Sequence, residues 1–264
     1  PALYSLKISF FDWRLSRPDK IVHFVGIKNY LSALTDYRFW NSLKVTALFA
    51  IITITLEFIV GISLALLLNR DFKGKSVVRA LFILPMVISP LCAGIIFRVM
   101  YHPSFGIINQ ILSLFHIAPK MWLASSSTAL FSVVLCEFWQ AAPFVLLIAL
   151  AGLEMLPKDP IEAAIVDGAN SVQRFFYVIL PLLSKLLILV LMIRAIDVIR
   201  IFDSIYVMTK GGPGNSTEIF GLYLYKEGFR FFKTGYASAV SVIILIIVGG
   251  LIILLSKVQR EEND

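Results

Sequence analysis

Three residues near the middle of the chain combine a carboxylate, an aromatic ring and an amide: Glu137, Trp139 and Gln140. A carboxylate and an amide can hydrogen-bond hydroxyl groups, while an aromatic face packs on the apolar side of a pyranose. These residue types therefore indicate a candidate sugar site. The alternative is hydrogen bonding between helices beside a tryptophan at the membrane interface. The residues alone leave both interpretations open.

A second polar set recurs every three residues and alternates in sign: Arg194, Asp197, Arg200 and Asp203. Ionisable side chains inside a membrane span cost roughly 2.5 to 3.5 kcal/mol each, so they usually face other helices or a water-filled cavity. Steps of three residues drift about 60° around a helix, so the four cannot all face one channel. We expect a ladder of ion pairs within the helix, with Arg194 and Asp197 as candidates for a substrate pathway. Glu57, alone in its stretch, is expected to bind a neighbouring helix.

Motifs for catalysis are missing from the sequence. Gly74-Lys75-Ser76 resembles the end of a phosphate-binding loop, but Asn69 stands where that loop requires glycine. The sequence contains no Gly-x-Ser-x-Gly elbow, no His-Glu-x-x-His pair and no cluster of metal ligands. We therefore expect no catalytic residue, no metal and no cofactor in this chain.

The composition is that of an integral membrane protein. Of the 264 residues, 58% are apolar, against roughly 45 to 50% in a soluble domain. Apolar runs of about 20 residues or more, each sufficient to cross a bilayer, lie near 43–68, 77–101, 128–153, 178–207 and 236–255. The runs are continuous rather than alternating, which predicts helices and not a β-barrel. Pro85, Pro90 and Pro143 are expected to interrupt their spans.

These runs predict an all-α, polytopic membrane protein in which residues 1–264 form a single transmembrane domain. The first residues are apolar but too few to cross, so they are interpreted as the end of a further helix that is largely missing from this chain. The loop from Asn69 to Arg79 holds four basic residues and one acid, which predicts a cytoplasmic position. The segment 154–177 would then also be cytoplasmic, and the basic segments 14–38 and 210–233 would lie outside. A net charge of +7 without a basic stripe gives no reason to expect nucleic acid.

The loop 154–177 is a polar segment between two of the most apolar runs. Asp159 and Glu162 stand three apart with Pro160 between them, which is the spacing of a capping box with proline at the first helical position. A short helix is therefore predicted to begin at residue 160 and to end at Gly168. Such a helix is too small to form a core, so its apolar residues need the bilayer surface or another protein. We favour the protein.

This segment resembles the EAA loop of permease subunits of ATP-binding-cassette importers. Glu162-Ala163-Ala164 is followed after three residues by Gly168, after nine more by Val178, and then by Leu180-Pro181. The family usually has isoleucine where this chain has Val178. Further matches place the resemblance in the sugar-importer, binding-protein-dependent branch: Gly26 to Tyr30, Leu150 to Leu153, Thr209 to Gly214 and Gly235 to Ala239.

The resemblance implies a six-helix, type I importer permease core in the bacterial cytoplasmic (inner) membrane. It implies a second permease subunit, two cytoplasmic subunits that bind ATP and Mg, and an extracytoplasmic solute-binding protein that delivers a sugar. The residues that it assigns to coupling with the ATPases are Glu162, Ala163, Ala164, Asp167, Gly168, Leu180 and Pro181. The alternative for the short helix is an interfacial connection between two spans.

Two rival functions remain. An ion-coupled secondary transporter could use the intramembrane Arg and Asp residues, but it predicts an internal repeat that the sequence does not show. A membrane-embedded enzyme predicts a nucleophile or a metal constellation within a span. Lys226, Arg230 and Lys233, in the predicted outer segment, could help to dock an acidic partner.

Overall fold

A computed structural model of the chain describes residues 2–16 and 23–261, except for the side chains of residues 251, 252 and 254–261. Residues 17–22, within the segment predicted to lie outside, are thus not among those described. Helices dominate the described part, which also holds one antiparallel pair of two-residue strands, β1 (Phe11–Asp12) and β2 (His23–Phe24). The predicted all-α fold class is confirmed.

The first long helix starts earlier than its apolar run. After the short helices α1 (Ala2–Ile8) and α2 (Lys28–Thr35), helix α3 extends over Tyr37–Leu68. Its start is set by Asp36, whose carboxylate accepts a hydrogen bond from the backbone N–H of Arg38. This cap satisfies one of the N–H groups that a helix start leaves without a partner, so polar residues can precede the apolar ones.

The second apolar run is broken into two helices, α4 (Lys75–Val87) and α5 (Pro90–Met100), whose axes differ by 98°. Ser89 is extended, as a residue before proline prefers, and Pro90 opens α5 while the Ser89 hydroxyl accepts from the N–H of Cys92. The interruption predicted at Pro90 is confirmed. Those predicted at Pro85 and Pro143 are wrong, because the helices continue through both residues.

Helix α7 (Ala129–Met155), which follows the short α6 (Ile107–Leu114), is the most buried of the long helices. It packs along α3, and the two backbones approach closely where Gly61 faces Val145. A Cβ at Gly61 would lie 2.9 Å from the Val145 side chain. The absence of a side chain at Gly61 therefore brings together the two helices that carry Glu57 and Glu137.

The remaining elements complete the bundle. After α7 come α8 (Lys158–Val166), α9 (Ser171–Arg174), a π-helix (Phe175–Ile179) and α10 (Leu180–Arg200). They are followed by α11 (Asp203–Met208), α12 (Phe220–Tyr225), a second π-helix (Lys226–Arg230) and α13 (Thr234–Glu261).

Among the described helices, α3, α7 and the segment Ser171–Met208 are each long and apolar enough to cross a membrane, and the α4–α5 pair makes four if it forms one bent span. Thr234–Gly250 is a shorter apolar helix. The predicted count of five spans stays a prediction. Because α7 leads into α8 and α10 leads away from it, α8 and α9 lie at one end of the bundle, here called the α8 end. Residues 203–233 lie at the opposite end.

Candidate coupling and translocation sites

Helix α8 begins at Lys158, not at residue 160, and no side chain caps it. The predicted capping box at Asp159 and Glu162 is therefore wrong. Leu156 ends α7 in an extended conformation, as the residue before Pro157 prefers, and the next helix starts at once. Pro160 then falls in the first turn, where its missing N–H removes no hydrogen bond.

The C-terminus of α8 is closed by Gly168, as predicted. Gly168 has φ +81°, and its N–H donates to the Ile165 carbonyl at 3.0 Å while the Ala169 N–H donates to the Ala164 carbonyl at 2.9 Å. These two bonds define a Schellman motif, which uses glycine for its left-handed residue. A Cβ at Gly168 would meet nothing within 4 Å, so the backbone conformation, and not crowding, favours glycine here.

A capping box does occur in this loop, but eleven residues later, at the start of α9. The Gln173 N–H donates to Asn170 Oδ1 and the Asn170 N–H donates to Gln173 Oε1, both at 2.9 Å. Asparagine followed three residues later by glutamine is itself a sequence signal of this motif. Together with Gly168, this box fixes both sides of the turn after α8.

The α8 end carries an exposed apolar surface. No residue of α8 is buried, and the carboxylates of Glu162 and Asp167 stand on its exposed face beside Ala163. Apolar residues that are more than half exposed lie on α8 and on the elements directly before and after it: Met155, Ile165, Val166, Val172, Phe176 and Tyr177. A group of exposed apolar residues with charged residues among them is typical of a protein interface. We name it the α8 surface.

Leu180 and Pro181, the last members of the predicted coupling set, lie at the first turn of α10 rather than on α8. Leu180 packs against a buried cluster that includes Leu150 and Leu183. Ala164 is half-buried on α8. The predicted residues are thus divided between the exposed helix and the base of the helix that follows it.

Arg194 lies at the centre of a buried ion cluster that joins three helices. Its Nε and Nη2 donate to the two carboxylate oxygens of Glu57 on α3 at 2.8 and 2.7 Å. Its Nη2 also donates to Glu137 on α7 at 3.0 Å. All three side chains are buried, as close charge pairing requires. We name these residues the Arg194 cluster.

Of the predicted ion-pair ladder within α10, the structure has one pair among the described residues, Arg194 with Asp197. Within the helix Arg194 reaches only Asp197, at 3.6 Å, and its shorter bonds go to other helices. Among the described residues no ion pair joins Arg200 to Asp203, because α10 ends at Arg200 and Asp203 begins a new helix. The prediction that Glu57 binds a neighbouring helix is confirmed.

A cavity of about 600 Å³ opens beside the Arg194 cluster, next to the break at Pro90. Its polar lining includes Glu137, Gln140, Arg194, Asp197, Arg200 and Asp203, and its aromatic lining is Phe144 and Phe202. We name it the central cavity. It brings together four of the five residues predicted for a substrate pathway.

Trp139, the fifth residue, does not line the central cavity. It faces a separate apolar cavity and lies 5.4 Å from the ring of Phe97, because it is rotated away from Glu137 and Gln140 on the same helix. Gln140 also serves helix packing, since its amide donates to the Ile88 carbonyl at 2.5 Å, where α4 ends. The aromatic faces available to a ligand are therefore Phe144 and Phe202, which sequence reasoning missed.

The opposite end of the bundle holds a second buried ion network. Arg38 donates to Glu218 at 3.0 Å and to Glu227 at 3.2 Å, and both acids are buried. Lys226 binds Glu218 at 2.6 Å and Lys233 binds Glu227 at 3.0 Å. The suggestion that Lys226 and Lys233 dock an acidic partner is therefore corrected, because both already neutralise acids of this chain. We name these residues the Arg38 network.

Asp36, beside this network, accepts hydrogen bonds from the hydroxyls of Tyr223 at 2.8 Å and Tyr236 at 3.1 Å. Burial acts to raise the pKa of Asp36, but these bonds and the N–H of Arg38 outweigh it and hold the pKa below its usual value. Asp36 therefore stays ionised and ties the start of α3 to α12 and α13.

Residues 57–259 match the family described as binding-protein-dependent transport system inner membrane component. The trehalose/maltose transport system permease protein of Thermococcus litoralis is 39% identical over 241 residues, 91% of this chain and 81% of that protein. The trehalose transport system permease protein of Mycobacterium tuberculosis is 35% identical over 92% of this chain and 77% of its own length. The sulfoquinovosyl glycerol permease of Agrobacterium fabrum is 34% identical over 83% and 71%.

Solved structures show the same fold. A bacterial ABC transporter that imports the acidic polysaccharide alginate superposes with a TM-score of 0.84 at 20% identity, over 98% of this chain and 88% of that one. The inward-facing methionine transporter MetNI gives a TM-score of 0.60 at 18% identity, over 89% and 98%. The fold is thus that of an importer permease core. On the family match and these identities, the chain belongs to the inner membrane components of binding-protein-dependent transport systems.

Proposed function

We propose that this chain is the membrane-spanning permease subunit of an ATP-driven importer that carries a sugar or oligosaccharide across the bacterial cytoplasmic membrane. The observation that carries the proposal is the connection between two sites. Helix α8, with its exposed surface, directly joins α7 and precedes α10, the helices that hold Glu137 and Arg194 beside the central cavity. A force applied at α8 therefore reaches both walls of the cavity.

Each end of the bundle would bind a different partner. The α8 surface would dock a cytoplasmic ATP-binding subunit, which would hydrolyse ATP, and a second permease with its own ATPase would complete the pathway. At the opposite end an extracytoplasmic binding protein would deliver the substrate. The solved alginate transporter supports this partner, because one of its structures is a complex with a periplasmic protein bound to an alginate pentasaccharide.

A sugar is supported by both the relatives and the cavity. The relatives are named for trehalose, maltose and sulfoquinovosyl glycerol, all of which carry hydroxyl-rich rings. The central cavity has about 600 Å³, within the range of roughly 300 to 1,000 Å³ for small-molecule sites. Asp197 and Arg200 present charged groups to hydroxyls, while Phe144 and Phe202 offer aromatic faces.

Transport would proceed by alternating access. Closure of the ATPase subunits would displace α8 and tilt α7 and α10, while the Arg194 cluster holds both helices to α3. The break between α4 and α5 lines the same cavity and can act as the hinge. The cavity would then open alternately to the two sides of the membrane.

Uptake and copurification test this function together. Cells that contain the complete transporter should accumulate one of a panel of labelled sugars, namely trehalose, maltotriose and an alginate trisaccharide, and should lose that uptake when this chain is deleted. Mild-detergent extraction should recover the chain with an ATP-binding subunit and a second permease. Uptake that persists without any ATPase subunit would instead indicate an ion-coupled transporter and would contradict the proposal.

A further inference from the structure

Another cavity, of about 440 Å³, lies at the end of the bundle opposite α8. Four aromatic residues and two cations that form no ion pair within the described part of the chain contribute to its lining: Tyr206, Tyr225, Phe229, Phe232, Lys210 and Arg230. Lys226 also lines it but is held by Glu218. We name it the aromatic cavity. Nothing in the coupling of α8 to the ATPases requires it.

Three rings of this cavity, those of Tyr206, Tyr225 and Phe229, form a series of ring contacts that leads to the central cavity. Phe202, which lines the central cavity, stacks on Tyr206 at 5.2 Å and lies 4.9 Å from Tyr225. Tyr225 in turn stacks on Phe229 at 5.7 Å with the ring planes 25° apart. Phe202 directly precedes α11, which carries Tyr206, and Tyr225 ends α12 while Phe229 lies in the π-helix that follows. The two cavities thus share one aromatic track.

The aromatic cavity also contains an exposed aromatic side chain and two residues with a strained backbone conformation. The Phe229 side chain is 67% exposed, which leaves one end of the stack open to solvent. Lys210 and Phe232, with φ of 52° and 57°, are two of the four described non-glycine residues with positive φ. For a bulky residue such as phenylalanine this conformation is an outlier, and such strain collects at binding sites.

We propose that the aromatic cavity is a second carbohydrate-binding site, which takes a pyranose ring of the substrate before it reaches the central cavity. The rings of Tyr225 and Phe229 would pack on the apolar face of the sugar, and Lys210 and Arg230 would donate hydrogen bonds to its hydroxyl oxygens. This inference rests on the proposed function as a sugar importer and extends it from one site to two sites joined by the aromatic track.

The test measures sugar binding to the assembled transporter in nanodiscs, without the binding protein. The probe is whichever of labelled trehalose, maltotriose or alginate trisaccharide the cells import. Loss of a stacked ring is worth about 0.5 to 1.5 kcal/mol, so Phe229→Ala and Tyr225→Leu should each raise the dissociation constant roughly 2- to 13-fold. Phe115→Ala removes a ring that is 72% exposed in a segment at the same end of the bundle and should leave it unchanged.

Phe229→Leu retains apolar bulk, so a loss of affinity in this variant, with the complex intact by size exclusion, assigns the effect to the ring. Affinity equal to that of Phe115→Ala would overturn the inference while leaving the proposed function in place. So would an absence of saturable binding by a wild-type complex that imports the same sugar. Binding of the solute-binding protein to the same nanodiscs is measured separately; if the variants weaken it with unchanged sugar affinity, the cavity is a protein-docking surface and the inference is overturned. Failure of the wild type to import any sugar would overturn both proposals.

Discussion

At the scale of single residues, the main contribution of Arg194 is to fix the relative positions of helices rather than to stabilise the folded protein. A buried ion pair costs its members their hydration, and well-packed apolar residues in its place are often as stable. What the Arg194 cluster provides is a fixed geometry, because the guanidinium donates two hydrogen bonds to the Glu57 carboxylate and thereby fixes its orientation. The cluster thereby holds α3, α7 and α10 in one arrangement beside the central cavity.

Arg194→Ala should destabilise the protein by about 3 to 5 kcal/mol, since it leaves two buried carboxylates without their partner. Thermal unfolding of the purified complex in detergent would measure the loss. Arg200→Ala is the matched control, because Arg200 lies on the same helix, is exposed and forms no ion pair within the described chain. Equal stability of the two variants would show that the buried cluster does not hold the helices.

Residue types could be predicted better than residue pairs. A lone acid in an apolar helix must find a partner, and Glu57 does. The identity of that partner could not be predicted, because helical spacing relates only neighbours along one helix. Arg194 therefore appeared to pair with Asp197, while its close partners come from α3 and α7. Likewise, nothing in the local sequence of Lys226 indicates Glu218 as its partner.

At the scale of elements, α8 is a short exposed helix whose end is defined by Gly168. The Schellman motif there sets the direction in which the chain leaves α8 and enters α9. Because α8 has no buried residue, its position depends on these end structures and, under the proposed function, on the ATP-binding subunit that would cover it. A change at Gly168 should therefore affect coupling more than folding.

Gly168→Ala should cost roughly 1 to 2 kcal/mol of local strain and reduce both ATPase copurification and uptake. Gly74→Ala is a matched control, because Gly74 also has a positive φ, at 87°, with open space around it, but it lies outside α8. Similar thermal stabilities with a coupling defect in Gly168→Ala alone would support the docking role of α8. Normal ATPase recovery with Gly168→Ala would contradict that role.

Helix ends were harder to predict than helix existence. The end of α8 at Gly168 could be predicted, because the Schellman motif requires a residue with the conformational freedom of glycine. The start of α8 could not be predicted in this way. Only Leu156 and Pro157 separate α7 from α8, so α8 begins early enough to place Asp159 inside the helix. The Asn170 and Gln173 box carries a recognisable spacing, whereas the exposed apolar face of α8 becomes visible only once its neighbours are in place.

At the scale of the whole molecule, the Arg38 network ties the start of α3 to residues 218–233. Arg38→Ala would leave Glu218 and Glu227 buried with one lysine each. The local stability of residues 211–219 should fall by roughly 1.5 to 3 kcal/mol, the value of hydrogen bonds to charged groups. Amide hydrogen exchange in this segment should accelerate at least about tenfold. Arg230→Ala breaks no ion pair among the described residues and should leave the exchange rate of this segment unchanged. Equal exchange rates in the Arg38→Ala and Arg230→Ala variants would show that Arg38 does not hold this segment.

The general architecture followed from the composition, since long apolar runs can only become helices in a membrane. The positions of the helix bends could be predicted only in part. The 98° turn between α4 and α5 lies at Pro90, while α4 and α7 continue through Pro85 and Pro143. The central cavity depends on that turn and on the end of α10, neither of which hydropathy reveals.

The π-helix at Phe175–Ile179 has a consequence for the spacing of the coupling motif. A π-turn acts like a one-residue insertion, and one extra residue turns all that follows by about 100° around the helix axis. The number of residues between Gly168 and Leu180 therefore determines the rotation of α10 about its axis as well as its separation from α8. Without the extra residue α10 would present Arg194 to a different neighbour, although every sequence motif would be intact. The α8 surface and the Arg194 cluster would then lose their present relative orientation.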